Sequence, residues 1–146
     1  MCMKIAFVYS GQGAQYFGMG QELYENYSVV RDIFNQAGES LDLDMTKLCF
    51  EENDLLHQTT YTQPAILTVS LAIDALLKEK GIQPDIVAGL SLGEYSAFVK
   101  AGVLSFKDAV RLVKKRGQYM TDAVPLGEGA MSAVMGLDRQ TIKAAC

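Results

Sequence analysis

The chain has 146 residues, of which 49% are hydrophobic and 21% are charged, which is enough apolar material for one packed domain. Its net charge of −4 argues against a nucleic-acid binder, whose surface would be basic, and no apolar run approaches the length of a membrane span. Its three cysteines are odd in number and far apart, which favours reduced thiols and a cytoplasmic location over a disulfide framework or a metal site.

The first half of the chain predicts one strand followed by helices. An apolar run from Lys4 to Tyr9 ends at glycines, which is typical of a buried strand. Apolar residues at helical spacing predict one helix from Leu23 to Leu41, and Glu39 to Tyr61 predicts mostly loop with room for a short helix. The start signal Thr62-Gln63-Pro64 then opens an almost wholly apolar stretch that ends at Gly81, so we expect a buried helix there.

The second half begins with a strand that runs into a tight turn. Asp85 to Gly89 predicts a second buried strand, and the turn Leu90-Ser91-Leu92 leads into a helix that ends at Gly102. Ser105, followed three residues later by Asp108, forms a capping box that opens a helix to about Met120.

The pattern at the end of the chain predicts a strand and then the first turns of a helix that the sequence does not complete. Ala130 to Met135 is a candidate third strand, and Asp138 is placed to cap a helix whose first turns would be Thr141 to Cys146. We therefore expect the chain to be a piece of a longer protein. Helices that alternate with buried strands predict an α/β fold with a parallel sheet.

The pattern Gly89-Leu90-Ser91-Leu92-Gly93 is the strongest chemical signal. Between a strand and a helix, this spacing can hold a nucleophilic serine on a sharp turn; the alternative is a serine that caps the helix. A serine hydroxyl needs a base, and in hydrolases with this turn the histidine lies downstream. The only histidine, His57, lies upstream in a polar stretch, so we expect it on the surface and the base outside this sequence.

A glycine-rich turn, Gly11-Gln12-Gly13-Ala14-Gln15, follows the first strand. It lacks the sixth-position glycine of a dinucleotide fingerprint, because Tyr16 stands there, and it lacks the Gly-Lys-Ser/Thr ending of a P-loop. Open α/β sheets bind ligands at the ends of their strands, so the backbone N–H groups of this turn could donate to an oxyanion. A purely structural turn is the equal alternative.

Arg116 is the third candidate functional feature of the sequence. On a helical wheel it falls in the middle of an apolar stripe, whereas Arg111, Lys114 and Lys115 fall on the opposite side and are predicted to be solvated. An inward guanidinium needs an anionic partner, which is either a structural carboxylate or a bound ligand. Gln63, at the start of a buried helix, is predicted to cap that helix or, second, to line a pocket.

These motifs occur in a specific order. The glycine-rich turn, Tyr61-Thr62-Gln63-Pro64-Ala65, the serine turn with Glu94, and the segment Val110 to Gly117 together resemble the malonyl-CoA:acyl carrier protein transacylases of bacterial fatty acid synthesis. The resemblance runs from about Lys4 to the end of the chain, and it covers only about the first half of a family member.

The resemblance implies a set of roles. Ser91 would be the nucleophile, the backbone N–H groups of Gln12 and Leu92 would form the oxyanion hole, Arg116 would pair with the malonyl carboxylate, and Gln63 would lie near the acyl pocket. The substrate would be malonyl-CoA and the partner an acyl carrier protein, with no metal and no tightly bound cofactor. Family members often have histidine before the serine, where Leu90 stands here.

The resemblance also implies a domain division and a missing part. Residues 1–128 would belong to a hydrolase-like α/β core, and 129–146 would begin a small ferredoxin-like subdomain. The catalytic histidine would lie in the remainder of the polypeptide. Three alternatives stay open: an acyltransferase domain of a polyketide synthase, a serine hydrolase that shares only the serine turn, and an inert fragment or half of a split assembly.

Overall fold

The computed structural model describes residues 4–124, 128 and 134–145. Strands and helices alternate along these residues, which confirms the α/β class. The elements are β1 (Ala6–Tyr9), α1 (Gln21–Asn26), α2 (Ser28–Leu41), α3 (Met45–Phe50), α4 (Thr59–Glu79), β2 (Ile86–Gly89), α5 (Gly93–Lys100), α6 (Phe106–Ala123) and α7 (Arg139–Ala145).

The two strands form a small parallel sheet. Ala6 pairs with Ile86 and Tyr9 pairs with Gly89, and helices α1 to α4 supply the long crossover that a parallel pair requires. The prediction that both strands are buried is wrong for one face, because Val8 is 76% exposed and Ile86 is 65% exposed. The strands have the apolar sequence of a sheet covered on both sides, but the described helices pack against only the face that holds Tyr9.

The helix predicted from Leu23 to Leu41 is two helices, α1 and α2. The chain breaks at Tyr27, whose backbone is extended with φ −130° and ψ 125°. Just before the break, Asn26 Nδ2 donates to the carbonyl oxygen of Glu22 at 2.7 Å and closes the end of α1. The apolar spacing continues through the break, because side chains of both helices pack on the same core, and so the spacing alone could not reveal it.

Helix α4 is the central helix and packs against both α2 and α6. It begins at Thr59, ahead of the predicted start, so Pro64 lies in its second turn and removes one backbone hydrogen bond. The hydroxyl of Thr62 donates to the carbonyl oxygen of Leu56 at 2.6 Å and to that of Gln58 at 2.9 Å. These bonds tie the first turn of the helix to the segment that precedes it.

The hydrophobic core lies where α2, α4 and α6 meet. The completely buried hydrophobic residues of the three helices are Val30, Ala37, Ala65, Leu67, Ala109, Val110 and Val113. Phe34 of α2 is also buried, and removing a side chain of this size from water contributes about 1.5–3 kcal/mol. The core therefore fixes α4 and α6, the two helices that carry Gln63 and Arg116, relative to each other.

The remaining helices agree with their predicted signals. Helix α5 is followed by Gly102 at φ 76°, and Ser105 Oγ accepts from the backbone N–H of Asp108 at the start of α6. Asp138 accepts from Gln140 and Thr141 at the start of α7. The third strand predicted at residues 130–135 falls mostly outside the described residues, and the division at 128/129 remains a prediction.

Candidate active site

Ser91 stands on a strained turn between β2 and α5. Its backbone has φ 53°, in the left-handed region that non-glycine residues rarely adopt, and its side chain is exposed. The flanking glycines allow the chain to close so tightly. A Cβ atom on Gly89 would lie 2.0 Å from the carbonyl carbon of Gly93, and one on Gly93 would lie 2.2 Å from the carbonyl oxygen of Tyr9. The two glycines and Ser91 therefore have the geometry predicted for an exposed nucleophile between strand and helix.

The glycine-rich turn after β1 packs directly against the serine turn. A Cβ atom on Gly11 would lie 2.8 Å from the carbonyl oxygen of Leu90, so no side chain fits between the two segments. Within the part of the chain that the structure describes, the backbone N–H groups of Gln12 and Leu92 donate to no acceptor. Neither group is therefore committed to a hydrogen bond within the described residues.

Arg116 reaches this serine turn from α6. Its Nη2 donates to Ser91 Oγ at 3.1 Å, its Nη1 donates to Gln63 Oε1 at 2.8 Å, and its guanidinium carbon lies 5.6 Å from the centre of the Tyr95 ring. The side chain is half-buried. Three elements of the fold therefore converge on one cation, and the predicted neighbourhood of Ser91 and Arg116 is present in the structure.

The predicted surroundings of Arg116 on α6 need correction. The buried stripe is centred on Val113 and Gly117, and Arg116 lies at its edge, because Leu112 and Tyr119 on the far side are exposed. On the predicted solvated face of α6, Arg111 and Lys115 are exposed and Lys114 is half-buried. Arg111 Nε donates to the carbonyl oxygen of Ser40 at 3.2 Å, and Lys114 Nζ donates to that of Leu41 at 3.3 Å. These cations stabilise the C-terminal end of α2, where unpaired carbonyl groups point out of the helix.

Gln63 is a partner of Arg116 and does not cap α4. The side chain is completely buried, and besides accepting from Arg116 it donates from Nε2 to Met120 Sδ at 3.2 Å. The preferred capping prediction is wrong because the helix starts at Thr59, which places Gln63 in the second turn. Among the described residues no carboxylate forms an ion pair with Arg116. The guanidinium thus keeps its full charge beside a neutral amide and a hydroxyl.

His57 lies on the surface, as predicted. Its Nδ1 lies 3.4 Å from Nε2 of Gln15, and its ring packs edge-on against Phe17 with 5.4 Å between the ring centres. Across residues 4–124, 128 and 134–145, the only side chain that hydrogen-bonds to Ser91 is Arg116. An arginine remains protonated and cannot accept the hydroxyl proton, so the described residues supply no base in contact with Ser91.

Two residues of the site were missed by the sequence analysis. Tyr95 lies in the first turn of α5, and its ring packs against the guanidinium of Arg116, a contact that the sequence pattern did not indicate. Thr59 accepts a hydrogen bond of 3.0 Å from Gln12 Nε2 and ties the glycine-rich turn to the start of α4. Nothing in the local sequence around Thr59 predicts this contact, because the two residues are distant along the chain.

The other chemical groups of the described residues do not form a second site. No cluster of three or more potential metal-ligating side chains occurs in the described part of the chain. Cys49 is buried in the core, and this burial raises the pKa of its thiol to about 12, which keeps it protonated and unreactive. No helix within the described ranges is both long enough and apolar enough to cross a membrane.

A serine on a strained strand–helix turn, with a cation beside it, is a geometry that suits enzymes which form an acyl-serine intermediate. The chain belongs to the acyl transferase domain family, whose model matches residues 6–146. More particularly, it is 52% identical over 141 residues to a malonyl CoA-acyl carrier protein transacylase of Bacillus subtilis, a match that covers 96% of this chain and 44% of that protein. It is 47% identical over 144 residues to one of Staphylococcus aureus, covering 98% of this chain and 46% of the relative.

Solved structures give the same result. The malonyl CoA-acyl carrier protein transacylase from Coxiella burnetii superposes with a TM-score of 0.91 at 46% identity, covering 97% of this chain and 46% of that one. A malonyl-transacylase in complex with a type II polyketide synthase acyl-carrier protein superposes with a TM-score of 0.91 at 44% identity, covering 99% and 47%. The chain thus spans slightly less than half the length of the relatives it matches.

Proposed function

We propose that the complete polypeptide carrying this chain moves a malonyl group from coenzyme A to the phosphopantetheine thiol of an acyl carrier protein, through a malonyl ester on Ser91. The observation that carries this proposal is the contact of Arg116 with both Ser91 and Gln63. A guanidinium held by neutral partners beside a nucleophile suits an acyl group that ends in its own carboxylate, which it can bind with two parallel hydrogen bonds.

In the first step, Ser91 Oγ attacks the thioester carbonyl of malonyl-CoA. A carbon–oxygen bond forms, the carbon–sulfur bond breaks, and the hydroxyl proton passes through a base to the departing thiolate of coenzyme A. The base lies outside the described residues, and the resemblance to the transacylases assigns it to a histidine in the rest of the polypeptide.

The negative charge that develops on the carbonyl oxygen is bound by backbone N–H groups of Gln12 and Leu92. Both groups lack an acceptor among the described residues, and Leu92 stands at the start of α5, where the helix dipole favours negative charge. One donor of this kind typically contributes about 3 kcal/mol to the transition state.

In the second step, the carrier thiol attacks the malonyl ester. The base takes the proton of the carrier thiol, the new carbon–sulfur bond forms as the ester bond breaks, and the base returns the proton to the Ser91 oxygen. Arg116 holds the malonyl carboxylate through both steps. Gln63 orients Arg116 from beneath without neutralising it, which refines the acyl-pocket role that the resemblance assigned to this residue.

The relatives support the choice of substrate and partner. The Bacillus and Staphylococcus proteins are named as malonyl transacylases, and one solved relative is a complex with an acyl-carrier protein. We place the reaction in the cytoplasm, with malonyl-CoA as substrate and no tightly bound cofactor. We also propose a hydrolase-like core and, from residue 129, a small ferredoxin-like subdomain.

The test is a mass measurement on the complete natural polypeptide after incubation with malonyl-CoA. The expected result is the added mass of one malonyl group on the peptide that contains Ser91, no addition in Ser91→Ala, and discharge of the adduct by holo-acyl carrier protein. Residues 1–146 alone are expected to form little or no adduct, because the described residues supply no base to Ser91.

The outcomes separate the remaining alternatives. An adduct that water removes as fast as the carrier protein does would indicate a serine hydrolase. Transfer only to the carrier protein of a polyketide synthase would indicate an acyltransferase of that system. Failure of the complete polypeptide to form any adduct on Ser91 would overturn the proposal.

A further inference from the structure

A buried ion pair lies beneath the sheet, away from the groups assigned to the reaction. Lys100 Nζ of α5 lies 2.9 Å from Asp74 Oδ1 of α4, and the two side chains are only 11% and 12% exposed. Lys100 also donates to Gln83 Oε1 at 3.0 Å and lies 5.6 Å from the centre of the Phe7 ring. Tyr9, the last residue of β1, donates from its hydroxyl to Asp74 Oδ1 at 3.2 Å.

Tyr9 connects this ion pair to the nucleophile. Its carbonyl oxygen accepts a hydrogen bond of 3.1 Å from the backbone N–H of Leu90, the residue before Ser91. The same oxygen lies so close to Gly93 that a Cβ atom there would be 2.2 Å away. The side chain of Tyr9 is therefore fixed by Asp74, and its backbone fixes both sides of the strained turn at Ser91.

Burying this ion pair costs free energy, because two charges lose their contact with water. A buried pair of charges repays its desolvation cost only with good geometry, and apolar residues of similar size often serve stability as well. Here Asp74 also accepts from Tyr9 at the end of β1, and Lys100 lies over the ring of Phe7 in the same strand.

We propose that Asp74 and Lys100 are positioning residues for Ser91 and act through Tyr9. The inference rests on the proposed function, because its consequence is measured on acyl transfer to Ser91. The pair holds the turn in the conformation that presents Oγ for attack, while binding of the malonyl carboxylate depends on Arg116 and Gln63.

The experiment compares two variants of the complete natural polypeptide. Tyr9→Phe removes only the hydroxyl bond to Asp74, and the double variant Asp74→Leu with Lys100→Met removes both charges while keeping apolar volume. Misplacing a reacting group by about 1 Å can cost about a hundredfold in rate, so we expect kcat for malonyl transfer to fall at least about tenfold in each. KM for malonyl-CoA should stay within about twofold, because the substitutions leave the residues that bind malonyl-CoA unchanged.

The matched control is Lys4→Met. Lys4 forms an ion pair of 2.8 Å with Asp85 at the opposite end of the same strands, but its side chain is 79% exposed. This variant should keep both kcat and KM. A loss of stability alone would lower the folded fraction and leave kcat per folded molecule unchanged, so thermal unfolding of each variant is measured alongside.

A second readout does not need activity. The N–H of Leu90 donates to Tyr9, so its hydrogen exchange should become at least about tenfold faster in Tyr9→Phe and stay unchanged in Lys4→Met. Folded variants that keep wild-type kcat, or unchanged exchange at Leu90, would overturn the positioning role. If the wild-type polypeptide forms no adduct on Ser91, the proposed function fails, and the exchange measurement alone decides whether the pair fixes the turn.

Discussion

Gln63 holds Arg116 through a hydrogen bond of 2.8 Å while its own side chain remains completely buried. An amide fixes the guanidinium in direction but leaves its charge in place, which a carboxylate at the same position would cancel. The selectivity proposed for the site therefore depends on position 63 being an uncharged hydrogen-bond acceptor. This distinction can be tested by one substitution of nearly equal shape.

Gln63→Glu should abolish the preference for malonyl. The new carboxylate would form a buried ion pair with Arg116 and compete with the substrate carboxylate, so we expect malonyl ester formation on Ser91 to fall by about a hundredfold. Transfer of acetyl, which carries no carboxylate, should change much less. The control is Gln118→Glu, which adds the same charge on the exposed face of α6, the helix that carries Arg116. Equal loss in both variants would contradict the specific role of Gln63.

Arg116→Ala should abolish the selectivity of the site for malonyl over acetyl. An acetyl group leaves the guanidinium without its anionic partner, and sites that strand a polar group in this way discriminate by factors of roughly 10⁴. The ratio of malonyl to acetyl ester formation, measured by mass on the Ser91 peptide, should therefore fall by several orders of magnitude. Arg111→Ala, on the same helix but bonded to Ser40, serves as the control and should keep the wild-type ratio. An unchanged ratio in Arg116→Ala would refute the assigned role.

The serine turn could be predicted from the sequence, because the residues that form it are neighbours along the chain. Gly89 and Gly93 are needed where the backbone closes, and the apolar strand and the helix signal stand directly beside them. The break at Tyr27 and the start of α4 at Thr59 could not be predicted, because each depends on contacts that override the local pattern. The hydrogen bond between Gln63 and Arg116 could not be predicted either, since the two residues meet only through the packing of α4 on α6.

Gly93→Ala should destabilise the protein far more than an ordinary glycine substitution. Its new Cβ atom would lie 2.2 Å from the carbonyl oxygen of Tyr9, so strand and helix must separate, and we expect a loss of at least about 3 kcal/mol in the free energy of unfolding. Gly81→Ala is the matched control. Its residue has φ 78° but open space around it, so only backbone strain of about 1 kcal/mol is expected there. Denaturant unfolding of both variants measures the difference, and equal losses would show that the close approach does not matter.

The stability of α3 should depend on pH through Asp44. Its carboxylate accepts from the backbone N–H of Lys47 and from the hydroxyl of Thr46, and these bonds hold its pKa below the ordinary value of 3.8. A lowered pKa in the folded state adds stability above pH 3.8 that is lost as the pH falls through the lowered value.

Asp44→Ala should therefore cost about 1 kcal/mol in the free energy of unfolding at neutral pH, the usual contribution of a helix cap. The difference from wild type should shrink once the pH drops below 3.8, because the protonated carboxyl caps α3 less well. Asp54→Ala, at an exposed carboxylate nearby, should leave stability almost unchanged at both pH values. Urea unfolding at neutral pH and near pH 3 measures this; a difference that stays constant with pH would show that the charge of Asp44 contributes nothing.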